Sequence, residues 1–239
     1  MIGGQMRQSW GPPPEFMATF WAAAEGLGPS AKLRRRRGRR QALVVRVDLR
    51  GVRPPIWRRL KLASDLNLEQ LDGIVQIAMG WAGGHLHSFD RWRPVDGEVT
   101  TLSLTTRRDE EYESGAGGQP EWEVELSQVL AKPKDWIAYT YDFGDDWNHR
   151  IALETAEPWV DGEPLAQCLG GRRACPPEDC GGIWGFEEIL EALRQNPGDD
   201  WVDTEWFEGS FDPTDFDAEQ VGEELAEAER DGFLRRLPF

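Results

Sequence analysis

Cysteine and histidine are scarce in this chain, with three of each among 239 residues. Three cysteines do not make the disulfide framework of a small secreted protein, and in a reducing compartment they are thiols or metal ligands. Long apolar runs are missing too. The best candidate, "FMATFWAAA" at 16–24, has half of the roughly 18 residues needed to cross a bilayer, and Glu15 and Glu25 flank it. Neither a basic leader nor a convincing cleavage site frames it, so it does not read as a signal peptide. A cytoplasmic location without membrane contact is expected. Ready-made catalytic signatures are absent as well: there is no G-x-S-x-G elbow, P-loop or H-E-x-x-H. "DFG" at 142–144 lacks the glycine-rich loop and H-R-D of a kinase, and Asp212, Asp215 and Asp217 lack the spacing of a calcium loop. No internal repeat is present.

What the chain does have is aromatic and acidic. Twelve tryptophans and a hydrophobic content of 39% predict a substantial core. The net charge of −16 is unevenly spread. "KLRRRRGRR" at 32–40 is basic, whereas the stretch from Asp199 to Asp231 is almost entirely acidic among its charges. An acidic globule repels nucleic acid, which leaves only Arg34, Arg35, Arg36, Arg37, Arg39 and Arg40 to reach phosphate. A solvated linker, or an arm lying on the protein's own acidic region, is the plainer reading of that tract.

The local patterns predict residues 1–41 as an N-terminal extension with an Arg-rich linker, containing a short helix at about 15–25. Residues 42–239 then form an α+β domain, with a mainly antiparallel sheet, a helix after the second strand and helices at the C-terminus. "ALVVRVDL" (42–49) reads as a buried strand. "IWRRLKLA" (56–63) reads as a second strand, with Ile56, Arg58, Leu60 and Leu62 not all on one face. Asn67 and Gln70 have capping-box spacing before a helix carrying Leu68, Leu71, Ile74, Val75, Ala78 and Met79, and Gly80 ends it. "HLHSFDRW" and the exposed-looking "EWEVEL" (121–126) are expected strands, separated by a mobile loop at 106–120. "DWIAYTYDF" and "WNHRIALET" form a hairpin about "GDD". Residues 156–184 read as a long ordered loop, "GFEEILEAL" as a helix with Phe186, Ile189, Leu190 and Leu193 inward, and 216–230 as a last helix with Val221, Leu225 and Ala228 inward.

Within that frame one polar centre is expected. Residues two apart in a strand share a face, so His85 and His87 would point together, the geometry in which an H-x-H pair grips one metal. His149, just past the hairpin turn, would face them. Cys175, Cys180, Asp145 or Asp146 could complete the set. The competing reading makes the histidines hydrogen-bonded anchors among Trp81, Phe89 and Trp147. "ACPPEDCGG" (174–182) has C-x4-C spacing, at the edge of zinc-knuckle spacing and without a second pair beyond Cys168. Its prolines and glycines favour a rigid loop beside the histidine strands, with a ligand role for Cys180 left open.

Six segments in order, "RPPIWRRL", "LDGIVQIAMGW", "HLHSF", "YDFGDDWNHRIALE", "ACPPEDCGG" and "GFEEIL", resemble the bacterial plasmid pRiA ORF-three-like family, over about residues 42–230. Some of its members are labelled TnpR passenger proteins of insertion elements. The resemblance implies a stand-alone α+β domain and names no activity. A resolvase would need a nucleophilic Ser or Tyr among catalytic arginines and a basic DNA-binding module, neither of which is clear in this sequence. The polar positions implied by the resemblance are His85, His87, Asp142, Asp145, Trp147, His149, Pro176, Pro177, Glu178, Asp179, Cys180 and Gly181. Two functions are therefore expected candidates. One is a mobile-element-associated binding or interaction domain with a His/Asp/Cys cluster (His85, His87, Asp142, Asp145, Asp146, His149, Glu178, Asp179), whose partner is an unknown protein or small molecule. The other is a metal-dependent hydrolase with His85, His87, His149 and Cys180 as ligands and Glu178 or Asp146 as acid/base. The cofactor such a donor set would take is a divalent transition metal.

Overall fold

The computed structural model describes residues 38–95, 98–105 and 120–234. Their elements run β1 (Gln41–Leu49), β2 (Trp57–Ala63), α1 (Leu68–Met79), β3 (His87–Val95), β4 (Glu98–Thr105), a 3-10 turn (Glu121–Glu123) and α2 (Leu126–Val129). After these come β5 (Trp136–Tyr141), β6 (Trp147–Pro158), β7 (Ala166–Arg172), α3 (Gly182–Gln195), β8 (Trp201–Asp203), β9 (Glu208–Ser210) and α4 (Ala218–Arg230). Seven strands make one sheet in the order β4-β3-β5-β6-β1-β2-β7, and every neighbouring pair is antiparallel. β8 and β9 pair separately. This is the expected α+β architecture.

Register explains which face is dry. Phe89, Tyr139, His149 and Leu49 stand opposite one another across four strands. Ile137, Ile151, Val47 and Arg58 form the next row. All eight are buried. The alternate residues look outward, where Arg59 pairs with Glu154 at 2.7 Å and Arg46 lies over the Trp57 ring at 4.4 Å. One packed and one solvated face is what an antiparallel sheet with period-2 patterning produces.

α1 covers the dry face with Leu68, Leu71, Ile74, Val75, Ala78 and Met79. Its capping box closes at 2.8 Å in both directions between Asn67 and Gln70, and Gly80 ends it in the left-handed region at φ 87°. α4 lies against β7 and α1, burying Leu225. The chain then returns to α1, where the Gln70 amide donates to the Leu234 carbonyl at 2.7 Å.

Several expectations need correction. Ile56, Arg58, Leu60 and Leu62 all share the buried face, because residues two apart along a strand must. "EWEVEL" is not an exposed strand: it is the 3-10 turn followed by α2, with Glu121, Val124 and Leu126 buried. Its backbone pairs with the loop before α1, through Leu68 N–H to Val124 O at 3.0 Å and Leu126 N–H to Leu66 O at 2.8 Å. Residues 156–184 are not one loop, since they hold the end of β6 and the edge strand β7. The hairpin β8–β9 had no counterpart in the sequence reading. The expected helix at 15–25 and most of the expected loop at 106–120 lie outside the described residues.

Arg58 is the charged exception in the core. It donates to Ala78 O at 2.6 Å, Trp57 O at 3.0 Å, Arg172 O at 3.2 Å and Cys175 Sγ at 3.4 Å, with the Phe216 ring 4.2 Å away. Ala78 lies in the last turn of α1, where a cation also complements the helix dipole. Burial holds its guanidinium below the usual arginine range, yet these acceptors keep the charge compensated. Replacing it, Arg58→Met, leaves carbonyls of three elements unpaired and should cost about 3–5 kcal/mol, read as a lower urea midpoint at unchanged slope. Arg58→Lys should recover only part of that loss, because an ammonium cannot span the same fork.

Candidate functional site

The site is built where β5 turns into β6. Asp142 and Asp146 bracket this turn with φ of 55° each, in the left-handed region, as does Asp179 at 53° in the facing loop. Asp residues tolerate that region because their short carboxylates bond locally. The Asp142 carboxylate accepts from Gly144 N–H at 2.8 Å, and Asp146 N–H donates to the Asp142 carbonyl at 2.7 Å. The loop 174–181 is pressed onto this turn. A Cβ on Gly182 would stand 2.6 Å from the Asp145 carbonyl oxygen, and one on Gly185 would stand 1.7 Å from the Cys180 carbonyl oxygen. Gly182 and Gly185 of "DCGGIWG" are thus required by close backbone approach.

Three carboxylates converge on His85 as a result. Its Nε2 lies 3.3 Å from Asp179 Oδ1 and 3.6 Å from Glu178 Oε2, and its Nδ1 lies 3.8 Å from Asp142 Oδ1. Glu178 is aimed by two donors, Ala82 N–H at 2.8 Å and the Tyr141 hydroxyl at 3.0 Å. Burial, and then the Glu178 charge, push the Tyr141 phenol well above its usual range. Trp81 stacks on Tyr141 at 4.9 Å and donates its indole N–H to Pro176 O at 2.9 Å, which anchors the loop.

His85 and His87 do not act as a pair. β3 begins at His87, and His85 precedes the strand, so the alternation rule does not reach it. The imidazole of His87 takes Glu121 Oε2 at 3.0 Å and Asp72 Oδ1 at 3.4 Å. His149 is 2% exposed; its Nδ1 donates to Tyr139 O at 3.3 Å, and its ring stands edge-on to Trp81 at 5.4 Å. The three histidines therefore have three different surroundings. Among the described residues, ligand atoms within 4.8 Å of one another come from His85, Asp142 and Asp179. Cys175 lies elsewhere, with its Sγ 2.9 Å from Met79 Sδ. Cys180 is buried beneath the loop, and desolvation, then Asp145, pushes its thiol up to about 12. The Asp146 side chain is exposed. Arg40, at the end of the basic tract, pairs with Asp65 at 2.6 Å; Arg39 is exposed, and Arg34, Arg35, Arg36 and Arg37 lie outside the described residues.

The family model described as plasmid pRiA4b ORF-3-like protein matches residues 41–220, which take in every residue of this corner. The chain belongs to that family. It is similar to the uncharacterized protein y4hQ of Sinorhizobium fredii, at 34% identity over 165 residues, 68% of this chain and 78% of that protein. It is also similar to the crystal structure of MM3350, a protein of unknown function from Methanosarcina mazei Go1. That likeness has a TM-score of 0.61 at 30% identity and covers 77% of this chain and 98% of that one.

Sequence reasoning missed a second polar cluster in this family member, around His87. Glu121 is fully buried and its carboxyl is raised to about 6 by burial, although His87 pulls the other way. Asp72 accepts from the Tyr139 hydroxyl at 2.6 Å, and Gln76 donates to the same hydroxyl at 2.7 Å. The available signal was Asp72 and Gln76, polar residues one turn apart beyond the capping turn of a helix whose later residues are otherwise apolar or Gly.

Two expectations follow. Burial lowers His149 to about 4 from 6.5, so the unfolded chain takes up the proton first. Its stabilising contribution is full above pH 6.5 and is lost as pH falls toward 4, by about 3 kcal/mol. Glu121, raised from 4.5 to about 6, acts with the opposite sign over a smaller span. Urea midpoints from pH 4 to 7 should therefore fall on the acid side, and His149→Phe should flatten that fall. Secondly, Gly185→Ala should cost about 3 kcal/mol through its clash with the Cys180 carbonyl. Gly222→Ala on α4, where nothing lies within 4 Å, should gain about 0.5–1 kcal/mol. Thermal melts of the two variants should shift in opposite directions.

Proposed function

We propose that this chain is a binding domain whose recognition site is the acidic corner around His85, and that its ligand is cationic. The observation that carries this reading is the convergence of Asp142, Glu178 and Asp179 on one half-exposed imidazole. Among the described residues no Lys or Arg stands within 4.0 Å of these carboxylates, so the corner has more negative than positive groups to offer a visitor. Positive charge from a ligand would complete it. Cys175 and Cys180 are buried, which leaves no accessible thiol nucleophile at this corner and favours binding over covalent chemistry. The hydrolase reading, with His85, His87 and His149 as joint ligands, draws no support from rings that face three surroundings. The family's plasmid-derived description supports an association with mobile elements, and three unpaired cysteines suit a cytoplasmic setting.

The reading is tested by thermal shift of the intact chain against separate cation classes: divalent metals, spermidine, and Lys- or Arg-containing tripeptides. At about 100 times Kd a genuine ligand stabilises by roughly 2.7 kcal/mol, or about 5–10 °C for a chain this long. At least one class should reach that in the wild type and lose it in an Asp142→Asn, Asp179→Asn double variant. Shifts that are absent throughout, or unchanged in the double variant, defeat the proposal.

A further inference from the structure

We infer that His85, Asp142 and Asp179 form a site for a divalent transition-metal ion, with Glu178 as the group that orients it. This rests on the binding reading above and gives its ligand a chemical identity. One ligand atom from each of the three residues lies within 4.8 Å of the other two. Donors at about 2.0–2.2 Å from a common ion stand about 3–4 Å apart, so a small closure of the Asp179 side chain completes the shell. That side chain is 76% exposed and free to swing, whereas Asp142 is fixed.

A second observation points the same way and concerns Asp142 alone. The residue is 7% exposed, and among the described residues its carboxylate receives one hydrogen bond, from Gly144 to Oδ1. The second oxygen receives none. That oxygen is not sealed from solvent, so an incoming ion can reach it, on a carboxylate otherwise enclosed enough that it would ordinarily collect several donors. His85 does not supply the missing partner, because its Nδ1 stops at 3.8 Å. Charge-assisted hydrogen bonds close to about 2.7–2.9 Å, and all three carboxylate contacts of this imidazole are longer than that. An ion on Nδ1 beside Asp142, reached by the mobile Asp179 side chain, would engage one imidazole nitrogen and two carboxylate oxygens.

Compare the neighbouring cluster. His87 and Glu121 have closed onto each other at 3.0 Å, and the Tyr139 hydroxyl already bonds Asp72 at 2.6 Å. There the imidazole and the phenol each have a close partner, while Glu121 Oε1 and Gln76 Oε1 stay buried without one; at the other corner, among the described residues, no carboxylate comes closer to His85 than 3.3 Å. Glu178, held by Ala82 N–H and the Tyr141 hydroxyl, faces Nε2 at 3.6 Å, the nitrogen left over when the ion takes Nδ1, which is where outer-shell carboxylates stand in metal sites. One nitrogen with two carboxylates suits Zn, Mn, Fe(II) or Ni, whereas Mg and Ca favour oxygen donors alone.

The test is isothermal titration of the untagged, chelator-stripped full chain with Zn²⁺, Mn²⁺ and Mg²⁺, with elemental mass spectrometry of the loaded protein. One Zn²⁺ or Mn²⁺ per chain is expected, weakened at least tenfold in His85→Ala and in Asp179→Asn. Asp179 is exposed enough that its variant keeps the fold, and Asp212→Asn, on a remote surface turn, should bind as the wild type does. Failure of the wild type to bind, equal binding by the His85 and Asp179 variants, or equal affinity for Mg²⁺ overturns the assignment. If metals fail while spermidine or a cationic tripeptide still binds through Asp142 and Asp179, the metal assignment falls and the binding reading stands. If every cation class fails, both fall.

Discussion

A single buried tyrosine holds the two layers of this fold to one another. Tyr139 is shut off from water in the middle of β5. A buried phenol hydroxyl must find partners, and this one donates to Asp72 and accepts from Gln76, both on α1. Its backbone carbonyl accepts a hydrogen bond from His149 Nδ1 on β6, and its ring packs against Phe89 on β3 at 4.8 Å. The same residue thereby bonds to α1 and touches β3 and β6. Displacing it would leave Asp72, Gln76 and His149 short of partners together, and such networks cost more than their separate bonds suggest.

The corner around His85 depends on that frame in a different way. Its side chains are held by loops, and the loops are held by backbone contacts that permit no Cβ. Gly182 and Gly185 let the 174–181 loop press onto the Asp145 carbonyl and onto its own Cys180 carbonyl. Asp142 and Asp179 are aimed from left-handed backbone. Strained backbone of this kind persists only where the surroundings over-determine it. Here Trp81, tied to Pro176 and stacked on Tyr141, supplies that pressure from the end of α1.

Two histidines separated by one residue thus meet opposite electrostatic fates. His87 enters the strand and is enclosed with Glu121, which closes on it at 3.0 Å, with Asp72 at 3.4 Å. His85 stays outside the strand, half exposed, among carboxylates that do not close upon it. The difference is one of solvation and distance, not of residue type. It separates a closely bonded His–Glu pair from a looser, half-exposed corner of His85 and three carboxylates.

Much of the fold was legible from local chemistry. The capping box at Asn67, the left-handed stop at Gly80, the hairpin about Asp142–Asp146 and the alternation of β1 and β5 each depend on neighbours within a few residues. The same is true of the stripe on α3. Site residues were legible as a group, because His, Asp and Glu cluster in a few short segments. Their partnerships were not. "EWEVEL" alternates as a strand does, yet it packs as a 3-10 turn because its backbone partner is the loop before α1. β7 carries two glycines and a cysteine, and it is a strand only because β2 offers an edge. His85 and His87 diverge because β3 starts between them, at the point where Tyr141 provides the pairing. The sequence by itself determined the elements whose causes are local. Tertiary structure alone decided which polar groups met, since burial and hydrogen-bond partners come from segments far apart in the chain.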